Sequence, residues 1–129
     1  IKLQNIKTNN DNIMADIKPQ KENINFEDFQ KMDIRVGTIL EAEKVPKTQK
    51  LLQLKINTGM DTRTVVAGIA EDYEPENIVG KQVIILANLE PRKIKNIDSQ
   101  GMILMAVDPA GKLTFISPEE KTEEGSEVN

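Results

Sequence analysis

The sequence of 129 residues predicts an all-β fold. The expected form is a small closed barrel of five strands, with one short N-terminal helix, a short helix between strands three and four, and a C-terminal extension. Three observations lead there. Apolar and β-branched runs recur with glycine or other turn residues between them at intervals of about ten residues. Only two short stretches carry helical spacing. No strand is followed by the longer helical pattern that a parallel βαβ sheet requires.

Residues 1–23 are polar and rich in Asn, with Lys-Pro at 18–19, and read as a tether ahead of a domain over 24–129. Ile6, Ile13 and Ile17 share one loose helical face within it. Asn25 is placed as the N-cap of a helix over 26–32, with Asp28 at its third position and Ile24 and Phe29 as a hydrophobic staple. Phe26, Phe29 and Met32 form its apolar stripe. The period then changes to two. Ile34, Val36, Thr38 and Leu40 alternate along the first strand, with Gly37 as an expected bulge. The loop KVPKTQK (44–50) leads to a clean half-buried strand, Leu52-Gln53-Leu54-Lys55-Ile56, and Thr58-Gly59-Met60-Asp61 marks a turn. Residues 63–69 are apolar on both faces, and 70–80 (AEDYEPENIVG) form the second helical candidate, stopped by Gly80. Residues 83–87, 101–106 and 112–116 read as further strands. Five strands with a helix between the third and fourth is the OB-fold arrangement, whose open face takes oligonucleotides.

Composition narrows the chemistry. The chain has no Cys, His or Trp, so it lacks a thiol nucleophile, an imidazole base and the usual zinc ligands. Ser-His-Asp hydrolases, cysteine proteases and zinc deaminases are excluded. The seven glycines lie too far apart for a phosphate-cradling loop. The acid pairs Glu41/Glu43, Glu71/Asp72 and Glu119/Glu120 have no apolar surroundings to shift their titration. No cofactor or metal is expected, and a binding module is favoured over an enzyme. No apolar run approaches the roughly 18 residues of a membrane helix, and no signal peptide opens the chain, so a cytoplasmic protein is expected. A start at Ile1 points to a fragment of a longer chain.

The net charge of −4 argues against a general nucleic-acid coat, yet the charge is uneven. Residues 31–63 carry seven Lys/Arg against four Asp/Glu, whereas 71–76 (EDYEPE) and 113–129 are each at −4. The densest cation cluster is Arg92, Lys93 and Lys95, within Asn88–Met102. Arg92 and the two lysines supply phosphate-directed donors. Asn88 and Ser99 add neutral hydrogen-bonding groups, Gly101 permits close backbone approach, and Met102 offers a flexible apolar surface. From the residues alone, nucleic-acid contact and an ordinary solvated loop stand about even. Tyr73 is the sole aromatic expected outside the core, and it lies in an acidic stretch. Any RNA bound would be recognised by shape and backbone, with few stacked bases.

Eight blocks in order sharpen this reading. They are Asn25-Phe26-Glu27-Asp28-Phe29 into Asp33-Ile34-Arg35-Val36-Gly37; Lys50-Leu51-Leu52-Gln53-Leu54; residues 63–70 (RTVVAGIA); Tyr73-Glu74-Pro75-Glu76; Val79-Gly80-Lys81; Ala87-Asn88-Leu89; Pro91-Arg92-Lys93; and residues 99–104 (SQGMIL). Together they resemble the tRNA-binding domain at the C-terminus of many bacterial methionyl-tRNA synthetases, which also occurs as a free-standing tRNA-binding protein. The resemblance implies an OB-fold barrel that binds tRNA by structure at the outer corner of the L, raises the tRNA affinity of a synthetase and dimerises, with catalysis located in other domains. It places tRNA contacts at Lys50, Asn88, Arg92, Lys93, Ser99 and Met102. Lys55, Arg63 and Lys95 are added from charge. Glu90, where the family often has a basic or neutral residue, sets a like charge to phosphate beside Arg92 and Lys93, and Pro46-Lys47-Thr48-Gln49 replaces the usual acidic residue. The Phe26, Phe29 and Met32 stripe either plugs one end of its own barrel or is covered by a second subunit. The alternative function is a dimeric protein-binding module of the secretion-chaperone type, suited by the net acidity and by Met60 and Met102.

Overall fold

Leu52, Leu54 and Ile56 alternate with Gln53, Lys55 and Asn57, and this period of two places all three aliphatics at zero exposure on one face of a strand. In the computed structural model, which describes residues 17–129, that strand is β2 (Leu52–Asn57). Around it are helix α1 (Phe26–Gln30), β1 (Ile34–Lys44), β3 (Thr62–Ala67), a single 3-10 turn over Pro75–Asn77, and β4 (Gln82–Leu86). Next come β5 (Arg92–Ile94), β6 (Ile97–Ser99), β7 (Met102–Ile103), β8 (Met105–Val107) and β9 (Leu113–Phe115). The main sheet has the antiparallel order β3-β2-β1-β4-β7, while β5-β6 and β8-β9 are separate hairpins. The sheet curls until β3 meets the β6–β7 junction. There Gln100 N donates to Thr64 O at 2.8 Å, and Val66 N donates to the Ser99 hydroxyl at 3.0 Å. The result is the nearly closed five-stranded barrel that the strand spacing predicts.

The core is aliphatic: Ile39, Leu52, Leu54, Ile56, Val65, Ile78, Val83 and Ile85 are all at zero exposure. At roughly 1.5–3 kcal/mol per fully buried aliphatic side chain, this cluster dominates the stability. β1 departs from the expected pattern. Its pairing with β4 runs unbroken from Ile34 to Thr38, and the bulge falls at Leu40, between Ile39 and Glu41 in the β2 register. Gly37 is therefore not the bulge. A Cβ there would lie 2.8 Å from Ile56 Cγ2, so glycine is needed where opposing walls of the barrel come close. Gly37 and Ile39 face inward, and Val36 is covered on the other side. The alternation of Ile34, Val36, Thr38 and Leu40 therefore does not by itself mark the inward face.

The expected second helix is also reduced. Only Pro75–Asn77 forms a 3-10 turn, because Pro75 pushes Glu74 to extended geometry (ψ 140°) and has no N–H to continue a helix. The segment nonetheless supplies Ile78, fully buried in the core cluster. Ile78, and not the Phe stripe, fills the interior. In α1, Asn25 caps as expected, its side-chain oxygen accepting from Asp28 N at 2.8 Å, but the helix buries nothing. Phe26 is 69 % exposed and Ile24 61 %, so neither a core plug nor a tight Ile24–Phe29 staple forms. Tyr73 departs in the opposite direction: its ring packs at a tilt of 53° against Phe115, centroids 4.7 Å apart, beside the core. The run 101–106 is two strands: Met102–Ile103 pairs with β4, Leu104 N still donates to Ile84 O at 2.8 Å, and from Met105 the chain pairs with β9 instead.

The acidic C-terminal extension is part of the sheet edge. Val36 N donates to Ser126 O at 2.9 Å, Gly125 N to Val36 O at 2.8 Å, and Val128 N to Ile34 O at 2.8 Å. Thr38 and Gln82 add side-chain bonds to Glu124 and Thr122. The tail occupies the side of β1 that β2 leaves open beyond Thr38. Of the segment 1–23, residues 17–23 form no helix or strand. Ile6, Ile13 and the proposed face they share lie outside the described residues. Among the described residues, no helix is long and apolar enough to cross a membrane, and no cluster of His, Cys, Asp or Glu could hold a metal.

Candidate nucleic-acid interface

In the stretch 88–102, read from sequence as one long loop, the chain builds the β5-β6 hairpin. Arg92 faces Ser99, Lys93 faces Asp98 and Ile94 faces Ile97 across it. The turn is only Lys95-Asn96, with φ of +50° and +65°. Both values are left-handed, as a two-residue hairpin turn of the primed type requires. Asn tolerates this conformation, whereas Lys95 adopts it at a cost of about 1 kcal/mol. That cost holds a cation at the outermost point of the hairpin. A two-residue polar turn between Ile94 and Ile97 is the sequence signal by which the hairpin could have been recognised.

Alternation along β5 sends Arg92 and Lys93 to opposite faces. Arg92 is exposed and, among the described residues, enters no ion pair. Lys93 lies 3.3 Å from Asp98, but both side chains are largely in solvent, so the pair is worth at most about 1 kcal/mol and yields readily to a phosphate. Arg92, Ser99 and Met102 share one groove of about 380 Å³, bounded by Gly68 and the β8-β9 hairpin. A second groove of about 400 Å³ brings Arg63 and Asn88 together with Glu90 and Gln100. Lys50 ends the β1–β2 loop beside the first groove, its carbonyl accepting from Ala70 N at 2.9 Å. Lys55 stands on the outer face of β2, 2.8 Å from the Thr64 hydroxyl.

Three of the sequence-selected residues have internal duties. Ser99 is 4 % exposed, and its oxygen satisfies Val66 N at the barrel seam. Asn88 is exposed, but its amide bridges two segments, accepting from Asp33 N at 2.9 Å and donating to Lys31 O at 2.6 Å. It thereby ties the end of α1 to the end of β4. Arg63 donates through Nε to Asp61 at 3.0 Å and through Nη1 to the Ala87 carbonyl, spanning the barrel mouth from β3 to β4. The Thr58 hydroxyl, and after it Arg63, hold the Asp61 carboxyl below its ordinary value. A depressed carboxylate contributes stability that is present above its unfolded pKa and is lost as pH falls through the folded one. In acid titration of stability below about pH 4, Asp61→Asn should therefore show a shallower loss than the parent. An unchanged slope would remove Asp61 from that role. Gln100 lies in the 99–104 block of the sequence reading but was given no role there. Its backbone N–H bonds Thr64 O, and its side-chain oxygen lies 3.3 Å from Thr64 N, closing the barrel between the two grooves.

The arrangement is that of an OB-fold face: strands β2 and β3, flanked by the β1–β2 loop with Lys50 and by the insertion carrying Arg92, Lys93 and Lys95. Comparison with known proteins agrees. The model of the tRNA binding domain family matches residues 34–127. The chain belongs to that family. As a tRNA-binding domain it is 55 % identical over 128 residues to a methionine–tRNA ligase of Flavobacterium johnsoniae, and 58 % identical over 127 to that of Cytophaga hutchinsonii. It spans 99 % and 98 % of itself in those matches but only 18 % of either ligase, so it corresponds to a tRNA-binding, non-catalytic portion of them. Among solved structures, a methionyl-tRNA synthetase related protein from Pyrococcus horikoshii superposes with a TM-score of 0.79 at 36 % identity, over 84 % of this chain and 99 % of that one. The chaperone CsaA of Bacillus anthracis superposes with a TM-score of 0.77 at 28 % identity, over 84 % of this chain and all of its own.

Proposed function

We propose that this tRNA-binding domain holds whole folded tRNA by its backbone, without reading sequence, and so raises the tRNA affinity of a methionyl-tRNA synthetase catalytic region in the cytoplasm. The observation that carries the reading is the exposed hairpin of Arg92, Lys93 and Lys95 beside the β2–β3 face of an otherwise acidic molecule. Met102, 45 % exposed, gives the hairpin an apolar border, while Lys55 stands across β1–β2 from Glu41 and so adds less to the field. Arg63, Asn88 and Ser99 support the surface more than they reach from it. With three or four phosphates neutralised, affinity should fall roughly as the second or third power of salt. Arg92→Ala with Lys93→Ala should weaken all tRNAs alike by about tenfold or more and flatten that salt dependence by nearly two powers. A double variant that binds tRNA like the parent would refute the assignment.

The domain is further proposed to act as a homodimer. Ile24, Phe26 and Met32 are 61 %, 69 % and 43 % exposed on and beside one short helix, and the rings of Phe26 and Phe29 lie 6.2 Å apart, a cluster that a second subunit would cover. The likeness to a chaperone supports a second reading, as a module for unfolded polypeptide. Separate titrations with tRNA and with an unfolded polypeptide discriminate, because only the tRNA complex should dissolve as salt is added.

A further inference from the structure

We propose that the groove between the hairpin β5-β6 and the hairpin β8-β9 takes a single unstacked nucleobase of the bound tRNA, an inference that rests on the tRNA reading above. The groove is about 380 Å³, within the roughly 300–1,000 Å³ of small-ligand sites. Its walls are apolar, from Val66, Ile69, Met102, Met105 and Leu113. They are also fixed: the Tyr73 hydroxyl donates to Leu113 O at 2.9 Å, anchoring the β8-β9 wall to the barrel.

Two polar groups aim at this space. Ser99 lines it at 4 % exposure, and while its oxygen accepts from Val66 N, its own O–H meets no acceptor among the described residues. A buried donor without a partner is costly, and an acceptor brought by a ligand relieves that cost. Arg92 stands directly across the hairpin from Ser99, which puts both on the same face. The spacing suits one nucleotide, with its base between apolar walls, a ring nitrogen or carbonyl on the Ser99 O–H, and its phosphate on Arg92. Every base offers an acceptor, so the contact adds grip with little sequence choice. An apolar peptide side chain would leave both the Ser99 O–H and Arg92 unanswered.

Gly68 allows a direct test. It lines the groove, and a Cβ there would meet only Lys50 O, at 4.0 Å, so Gly68→Leu fills the space without backbone strain. Binding of tRNA transcripts carrying one abasic site at each unpaired position in turn should be measured with the parent and with Gly68→Leu. One position should lose about tenfold with the parent and under twofold with the variant. Gly68→Leu should itself bind intact tRNA about tenfold more weakly with its salt dependence unchanged, since no phosphate contact is lost. Should Gly68→Leu fail to fold, Met102→Glu at the exposed rim replaces it with the same expectation for the abasic series. If no abasic position affects the parent while salt-sensitive binding persists, the base pocket is refuted and the tRNA reading stands. A parent that binds no tRNA overturns both.

Discussion

Ile78→Ala should destabilise the domain by about 2–5 kcal/mol, the range for emptying a fully buried aliphatic position. Ile78 sits at zero exposure in the central cluster, carried there by the Pro75–Asn77 turn and held by its N–H donating to Pro75 O at 3.3 Å. Its removal leaves a cavity among residues already committed to closing the barrel. Phe26→Ser offers the contrast. With Phe26 69 % exposed, stability of the monomer should change by less than about 0.5 kcal/mol, whereas sedimentation at low concentration should shift toward monomer if α1 joins two subunits. Urea unfolding of both variants checks the first pair of expectations. A larger loss in Phe26→Ser than in Ile78→Ala at monomer concentrations would show that α1, and not the turn after β3, fills the barrel.

Gly101→Val should unfold or severely loosen the seam and abolish tRNA binding with it. Gly101 has φ +107°, and a Cβ there would lie 2.8 Å from the Leu86 carbonyl oxygen. A β-branched residue in that region costs about 1–3 kcal/mol from backbone conformation alone, before the clash with a main-chain atom that cannot swing away. Gly101 follows Ser99 and Gln100, whose bonds to Val66 and Thr64 join the last strand to β3. It also precedes Met102 at the groove rim. Thermal unfolding and tRNA titration should therefore fail together. A variant that keeps its melting temperature would show that the seam tolerates a shift of β7, and that the glycine is not required there.

Much of the architecture was legible in the residues. β2 followed directly from Leu52-Gln53-Leu54-Lys55-Ile56, because a strand with one face in the core has no other way to arrange such an alternation. The Asn25 cap was equally local, since it depends on one side chain and a backbone N–H three residues on. The cation cluster at 92–95 was visible from composition. Its hairpin was not, because a three-residue strand is too short for its period to show, and the turn uses Lys95 in a conformation lysine rarely adopts.

What the sequence by itself determined about this protein was an aliphatic barrel without imidazole or thiol chemistry, bearing one concentrated set of cations on an acidic body. Those properties depend on residue type and near-neighbour spacing. The closed structure alone decided which face of β1 turns inward, that Ile78 and not the Phe pair fills the interior, that the Ser99 oxygen accepts from Val66 N, and that the Asn88 amide bridges Asp33 and Lys31. The bonds of Ser99 and Asn88 reach partners 33 to 57 positions away in the chain, and a linear pattern carries no record of which distant backbone group will come within 3 Å.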